Sequence, residues 1–185
     1  RDTVRVRAVA FTDLNLALHK PVTASSANGG NTAANITDGS DATRWESEWS
    51  ETQATVTIDL RQVYRLSRVR IDWEGASAAA YDLLISKDGE TWTKANTGTA
   101  SGAGWTEDDV TGEARYLKIA CNTKTLQAYG YSLYEVEVYG TGIVSGVGGI
   151  ATMQTPDNSI YSLSGQRMDS RSLPAGVYVS GGKKR

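Results

Sequence analysis

Apolar and polar positions alternate through the middle of this chain. Val56, Ile58 and Leu60 in TVTIDL, Val69, Ile71 and Trp73 in RVRIDW, Leu117 and Ile119 in RYLKIA, and Leu133, Val136 and Val138 around LYEVEVYG recur at the period of a strand. That period sends successive side chains to opposite faces, one buried and one wet. Between DLLI and ETWT stands Ser86-Lys87-Asp88-Gly89-Glu90, whose Asp-Gly pair tolerates positive φ and predicts a hairpin. ASAAAYDLL at 76–84 has helical propensity, but Gly75 before it and the Asp-Gly turn after it leave too little length, so a loop leading into a strand is expected. Many short strands joined by turns predict an all-β sandwich.

The alternation stops after Gly140. Residues 141–159 carry four glycines between 142 and 149 and then Thr155-Pro156-Asp157-Asn158, which predicts a Gly-rich linker. Beyond it, IYSL and LPAGVYV in 160–185 predict two or three short strands, too few for an independent core. Val4, Val6 and Ala8 also alternate, so residues 1–13 are expected to be the end of a preceding domain or an opening strand, with the main domain at 14–140. The chain starts at Arg1 without a basic-then-apolar signal stretch and is expected to be a fragment or a processed product.

Composition narrows the function. Across 185 residues, 19 Lys and Arg stand against 21 Asp and Glu, a net charge of -2. That balance lacks the positive field expected of a nucleic-acid or anionic-membrane binder, and no apolar run is long enough for a membrane-spanning helix. One cysteine closes no internal disulfide, and one histidine builds neither a multi-histidine zinc site nor, without a nucleophile beside it, a catalytic triad. Five Trp and nine Tyr beside a single Phe point instead to sites with an apolar face and a wet edge.

Two stretches offer chemistry. In Thr37-Asp38-Gly39-Ser40-Asp41-Ala42-Thr43 a carboxylate, a turning glycine and a hydroxyl five residues after the carboxylate can wrap a hard cation such as calcium, or Asp38 and Thr43 simply cap a turn. Trp49 sits in the polar run Glu46-Ser47-Glu48-Trp49-Ser50-Glu51, without alternating neighbours to pack against, and suits an exposed platform for the C–H face of a sugar. Trp45, Trp92 and Trp105 lie in or beside strand patterns and are expected in the core, while Tyr129 and Trp73 are candidates to join Trp49 at the sugar. The carboxylates of Glu46, Glu48 and Glu51 alternate on a short wet loop with no apolar wall to raise a pKa, which argues against glycoside hydrolysis. Cys121 reads as a small core residue.

From Leu14 to Gly140 the chain resembles the discoidin family, also called the coagulation factor type C domain, and within it the bacterial carbohydrate-binding modules of family 32. The resemblance rests on NLALHKPVTASS (15–26), TDGSDATRWES (37–47), VTIDL (56–60), Trp73-Glu74, ISKDGETWT (85–93), ARYLKI (114–119) and YGYSLYEVEVYG (129–140). It implies a jelly-roll β-sandwich of the galactose-binding-domain type, usually a non-catalytic accessory module joined to a secreted glycan-degrading enzyme. It also implies a structural calcium ion held by backbone oxygens of Asn35, Ser40 and Tyr134, the side chains of Asp38 and Glu135, and Thr43 through its hydroxyl and carbonyl.

For the sugar, the resemblance points to Trp49 with Arg44, Glu74, the 26–30 loop and the loop from Lys124 to Tyr129. Glu46 stands where galactose-binding members carry His, and an Arg and Asn pair is missing from 75–80, so β-glucans or amino sugars are favoured over galactose, with Glu46 and Glu48 as an accepting rim. The alternatives are a protein-binding adhesion module of the discoidin type and a structural spacer. Residues 160–185, with IYSLSGQR and then LPAGVYVSGGKK, resemble the C-terminal sorting segment of type IX secretion substrates, although the chain stops at Lys183-Lys184-Arg185 without the residues that usually follow. A secreted or cell-surface protein is the resulting expectation.

Overall fold

The computed structural model describes residues 14–143 throughout and, beyond them, the backbone of four two-residue strands. The chain divides into two compact units, 1–143 and 144–185. The first holds β1 (Val22–Ala24), a short 3-10 helix (Ala33–Thr37), β2 (Trp45–Glu46), β3 (Ala54–Trp73), β4 (Ala78–Ser86), β5 (Thr93–Gly98), β6 (Gly104–Lys124) and β7 (Ser132–Gly142).

Two strands set the architecture. β3 has 20 residues and β6 has 21; at about 3.3 Å per residue each would run roughly 65 Å if straight, against a radius of gyration of about 14 Å for a domain of this size. The sheet must therefore fold over itself. The register shows where: the first half of β3 pairs with the second half of β6 (Ala54↔Cys121 to Asp59↔Tyr116), and pairing resumes at Tyr64↔Ala114 after an irregularity. Arg61 sits at this corner with φ of +74°. One layer holds β1, the first half of β3, the second half of β6, β4 and β5; the other holds the remaining halves with β7 and β2. This is the jelly-roll β-sandwich expected.

The inward positions named from the alternation are the ones buried. Val56, Ile58, Leu60, Val69, Ile71, Leu117, Ile119, Leu133, Val136 and Val138 are all fully enclosed, each aliphatic side chain contributing about 1.5–3 kcal/mol of transfer free energy. Cys121 also belongs to this core, where burial pushes its thiol well above the ordinary range.

Several expectations need correcting. TVTIDL and RVRIDW are two halves of one strand, because Val63, Tyr64 and Leu66 between them keep β character and the ladder bends instead of breaking. The hairpin at Asp88-Gly89 forms, but with six residues between its strands: Asp88 accepts from the backbone N–H of Glu90 (2.9 Å) and Thr91 (2.8 Å) and from the Ser86 hydroxyl, and these bonds hold its pKa at about 2. β7 runs through Gly142, two residues into the predicted linker, because Thr141 and Gly142 still pair with Arg65 and Tyr64. Trp73 is fully buried, its indole N–H bonded to Thr106 Oγ1 at 3.0 Å, so it is not a sugar contact. Trp105, expected inside, is 44 % exposed, because its segment of β6 turns that face to solvent. Trp92 is only partly buried, beneath the ammonium of Lys118, whereas Trp45 is fully enclosed.

In the second unit, β8 (Ile160–Tyr161), β9 (Arg167–Met168), β10 (Val179–Ser180) and β11 (Lys183–Lys184) form a small antiparallel sheet in the order β11-β10-β8-β9, four strands where two or three were expected. The readings of residues 1–13 and of 144–159 lie outside the described residues. No helix among the described residues is long and apolar enough to cross a membrane.

Candidate functional site

Four loops are tied together at one end of the sandwich. The segment after β2 bonds to the β6–β7 connection through Ser47 N–H to the Tyr131 carbonyl (2.9 Å), Tyr131 N–H to Ser47 Oγ (2.9 Å) and Tyr131 Oη to the Thr52 carbonyl (2.7 Å). The β3–β4 loop joins the same connection through Glu74 N–H to the Ser132 carbonyl (3.2 Å) and Ser132 N–H to the Ala76 carbonyl (2.9 Å). The 26–30 loop docks from the other side: Ser26 Oγ donates to Glu51 (2.6 Å), Glu48 N–H donates back to Ser26 Oγ (3.0 Å), and Asn28 N–H donates to the Glu46 carbonyl (2.8 Å). These bonds carry Arg44, Glu46, Glu48, Trp49, Glu74, Lys124 and Tyr129 to one end of the fold.

Trp49 (52 % exposed) and Tyr129 (47 % exposed) meet there, with Leu126 exposed on the same loop as Tyr129. The Trp49 indole N–H donates to Glu46 Oε1 at 2.7 Å. Glu46 Oε2 accepts from Asn31 Nδ2 (2.9 Å) and from Arg44 Nη2 (3.2 Å), and Glu46 itself is only 6 % exposed. Lys124, 9 % exposed, donates to the Trp49 carbonyl at 2.8 Å. Glu48 projects into solvent, and Glu74 accepts from Ala76 N–H at 2.9 Å. Arg44 is partly exposed, and its Nε is buried without a hydrogen-bond partner among the described residues. Asn31 was not singled out in the sequence, Glu51 was weighed there only as a catalytic carboxylate, and Leu126 fell unnamed within the loop from Lys124 to Tyr129. The contacts of Asn31 and Glu51 span 15 and 25 residues, so no local pattern announces them.

A second cluster lies around the turn after the 3-10 helix. Asp38 accepts from Thr43 Oγ1 (2.7 Å) and Ser40 N–H (2.9 Å), and Thr43 Oγ1 also lies 3.3 Å from the Ser40 carbonyl. Glu135 reaches in from β7 to accept from Gly39 N–H (2.9 Å) and Ser40 N–H (3.0 Å). Burial, with Asp38 alongside, pushes the Glu135 carboxyl up to about 7. Asn35 lies in the helix, its Nδ2 on the Arg44 carbonyl at 2.8 Å, and Tyr134 precedes Glu135 on β7. Gly39 holds φ at +83°, the sharp turn that lets both carboxylates approach one loop. No group of three or more His, Cys, Asp or Glu side chains gathers as a metal cluster among the described residues. Any cation here would rest on two carboxylates and neutral oxygens, a donor set suited to a hard ion.

Beside this cluster is an open groove of about 450 Å³ lined in part by Leu18, Asp41, Asp72 and Trp105. Burial and the nearby Asp41 raise the Asp72 pKa, and the Arg70 guanidinium covers the Trp105 ring at 4.3 Å.

Comparison with known proteins fits this geometry. Chitosan-binding module 1 of a chitosanase/glucanase from Paenibacillus sp. IK-5 superposes with a TM-score of 0.65 at 35 % identity, covering 69 % of this chain and 99 % of that one. Chitosan-binding module 2 of the same enzyme, solved with chitotriose, gives a TM-score of 0.61 at 36 % identity over 68 % and 100 %. A CBM32 module from a family 31 glycoside hydrolase of Clostridium perfringens shares the fold at 22 % identity, with a TM-score of 0.60 over 69 % and 94 %. A search of curated protein sequences finds no match. Residues 21–136 match the F5/8 type C domain, more than half of the chain, and the protein belongs to that family.

Proposed function

We propose that the sandwich is a non-catalytic carbohydrate-binding module whose ligand lies against Trp49 and Tyr129, with an amino-sugar or β-glucan chain favoured over galactose. The observation that carries this is a half-exposed Trp–Tyr pair with the exposed Glu48 next to Trp49, in a chain about one-third identical to two chitosan-binding modules over nearly their whole length. An aromatic face accepts the C–H side of a pyranose, and a carboxylate accepts from an ammonium or from equatorial hydroxyls. At roughly -0.3 kcal/mol per heavy atom, one hexose of about eleven such atoms binds in the millimolar range, so avidity within a larger protein would matter. Calorimetric titration with chitotriose, its N-acetylated counterpart, a cello-oligosaccharide and galactose tests the reading. Binding of the first or third above galactose is expected. A chain that binds no sugar on a glycan array is left to protein adhesion or a spacer role.

The cluster at Asp38 and Glu135 is proposed as a structural calcium site, with Asn35, Ser40, Thr43 and Tyr134 completing the oxygens. The fit is the convergence of two carboxyls and neutral oxygens on one turn, where burial, with Asp38 alongside, raises the Glu135 pKa. A bound cation would pin this loop to β7 and do no chemistry on the sugar. Residues 160–185 are proposed as a sorting segment for export to the cell surface, with a catalytic domain elsewhere in the same parent chain. Fusion of 160–185 to a reporter, followed by cell fractionation, tests that assignment.

A further inference from the structure

Trp49 lies on a loop with no strand partner, and half of it is open to water, yet it is tethered at two points. Its one polar side-chain atom, the indole N–H, is spent on Glu46 Oε1 at 2.7 Å, and its backbone carbonyl is held by Lys124 Nζ at 2.8 Å. Both bonds involve an ionised partner, which makes them stronger than neutral ones. We infer that Glu46 and Lys124 are positioning residues that clamp Trp49 in its sugar-binding orientation, and that neither side chain touches the sugar. This rests on Trp49 being the platform.

The geometry leaves Glu46 little to offer a sugar. A carboxylate is acceptor-only, its two oxygens already take three donors, from Trp49, Asn31 and Arg44, and its side chain is 8 % exposed. Lys124 is nearly as enclosed, with its ammonium 5.7 Å from the centre of the Tyr131 ring, and Tyr131 in turn closes the same loop at Thr52. The clamp has a consequence for selectivity. With its N–H occupied, Trp49 offers the ligand ring surface alone, so discrimination among hydroxyls and amines falls to groups still open, Glu48 and the outer part of Arg44. A pre-fixed ring also binds without first losing its rotamer freedom.

The test follows the Trp49 indole proton by NMR in the full chain, assigned by its disappearance in Trp49→Phe. The wild-type signal is expected downfield of the Trp105 indole and slow to exchange, despite similar exposure of the two rings. In Glu46→Gln the amide oxygen goes to the side of Arg44 and Asn31, which together place a cation and a second donor on one oxygen. The amide nitrogen then turns to the Trp49 indole and leaves it without an acceptor. The substitution should move the signal toward that of a free indole, speed its exchange and weaken chitotriose binding roughly tenfold, the scale of one lost charge-assisted hydrogen bond. Lys124→Met should weaken binding similarly and speed exchange. Glu46→Asp, one methylene shorter, should not restore either property.

A Gln variant that loses affinity with its indole signal unmoved places Glu46 on the sugar and overturns the clamp. Full affinity in both Glu46→Gln and Lys124→Met overturns it as well. If Glu46→Gln fails to fold, Lys124→Met and the wild-type exchange rate decide. A wild-type chain that binds no probe sugar while the indole responds as described removes the sugar reading and leaves the tether standing.

Discussion

The rings of Trp49 and Tyr129 meet edge to face, their centroids 5.6 Å apart and their planes at 77°. They come from loops far apart in sequence, and each keeps about half its surface open. Such pairs are worth about 0.5–1.5 kcal/mol beyond the area they bury, a small part of the stability of a domain with this core. Two exposed aromatics held against each other suit the ligand-binding role proposed for them.

Trp49→Ala should therefore cost binding and little else. Chitotriose affinity is expected to fall at least tenfold, with the melting temperature within a few degrees of wild type. Tyr129→Ala should show the same pattern with a smaller loss. Titration calorimetry beside thermal melts checks both, and a Trp49→Ala variant that binds normally, or unfolds, refutes the site.

Glu135 gives the protein a pH signature in the absence of metal. Burial, then its proximity to Asp38, lifts its carboxyl from the ordinary 4.5 to about 7, against hydrogen bonds from Ser40 and Gly39 that oppose the shift. A raised carboxyl means that the folded state holds its proton more tightly than the unfolded chain does. The associated stability is complete below about 4.5 and is lost as pH rises through 7. In chelator, the melting temperature should climb as pH drops from 8 to about 5.5, apart from other groups, and Glu135→Gln should flatten that slope. Added calcium should raise the melting temperature at pH 8 more than at pH 5.5, in proportion to its affinity. Equal melting curves with calcium and with chelator at pH 8 would remove calcium from the account.

Much of this was legible in the sequence, for physical reasons that can be named. Positions such as Val56, Ile58, Val69 and Ile71 show the strand period because one face of each strand is buried and the other is wet. Trp49 stood out because it interrupts a polar loop. Trp105 misled because Gly104 to Glu113 alternates like a strand while its outer face, carrying an aromatic under Arg70, remains in solvent. The environments of Glu46 and Lys124 could not be read at all. A charged residue in a polar loop looks like surface, and only tertiary contacts with Asn31, Arg44 and the Trp49 carbonyl turn these two inward.

Gly130 follows Tyr129 and lies flat against the backbone of Ser47. A Cβ there would overlap the Ser47 carbonyl, which is main chain and cannot swing aside. Gly130→Ala should therefore push apart the loops that carry Trp49 and Tyr129. The expected cost is about 1–3 kcal/mol of stability, the usual range for overpacking, with weakened sugar binding. Gly75→Ala, on the neighbouring loop where a Cβ meets nothing within 4 Å, is the matched control and should be near neutral. Denaturant melts of the pair, read with their affinities, separate loop spacing from a general glycine effect.

Asp59 holds the corner where the two layers join. Its carboxylate takes both Nε and Nη2 of Arg115 at 2.8 Å and the backbone N–H of Arg61 at 2.8 Å, across the bend in β3. The Arg115 hydrogen bonds, outweighing desolvation and helped by Arg61, hold its pKa below the ordinary 3.8. A lowered carboxyl stabilises the fold above that ordinary value, and the contribution disappears as pH falls through the folded value. The wild-type melting temperature should thus drop steeply below about pH 4, as Asp59, and Asp88 with its pKa near 2, take up protons. Asp59→Asn should lower the neutral-pH melting temperature by a few degrees and make the acid decline shallower, because the group that titrates has gone. The far end of the sandwich should keep its affinity for chitotriose at neutral pH, since the corner shares no contact with Trp49. Parallel acid titrations of the two proteins by circular dichroism decide it: an acid limb of unchanged steepness in Asp59→Asn would show that the Asp59–Arg115 pair does not set the acid stability of the corner.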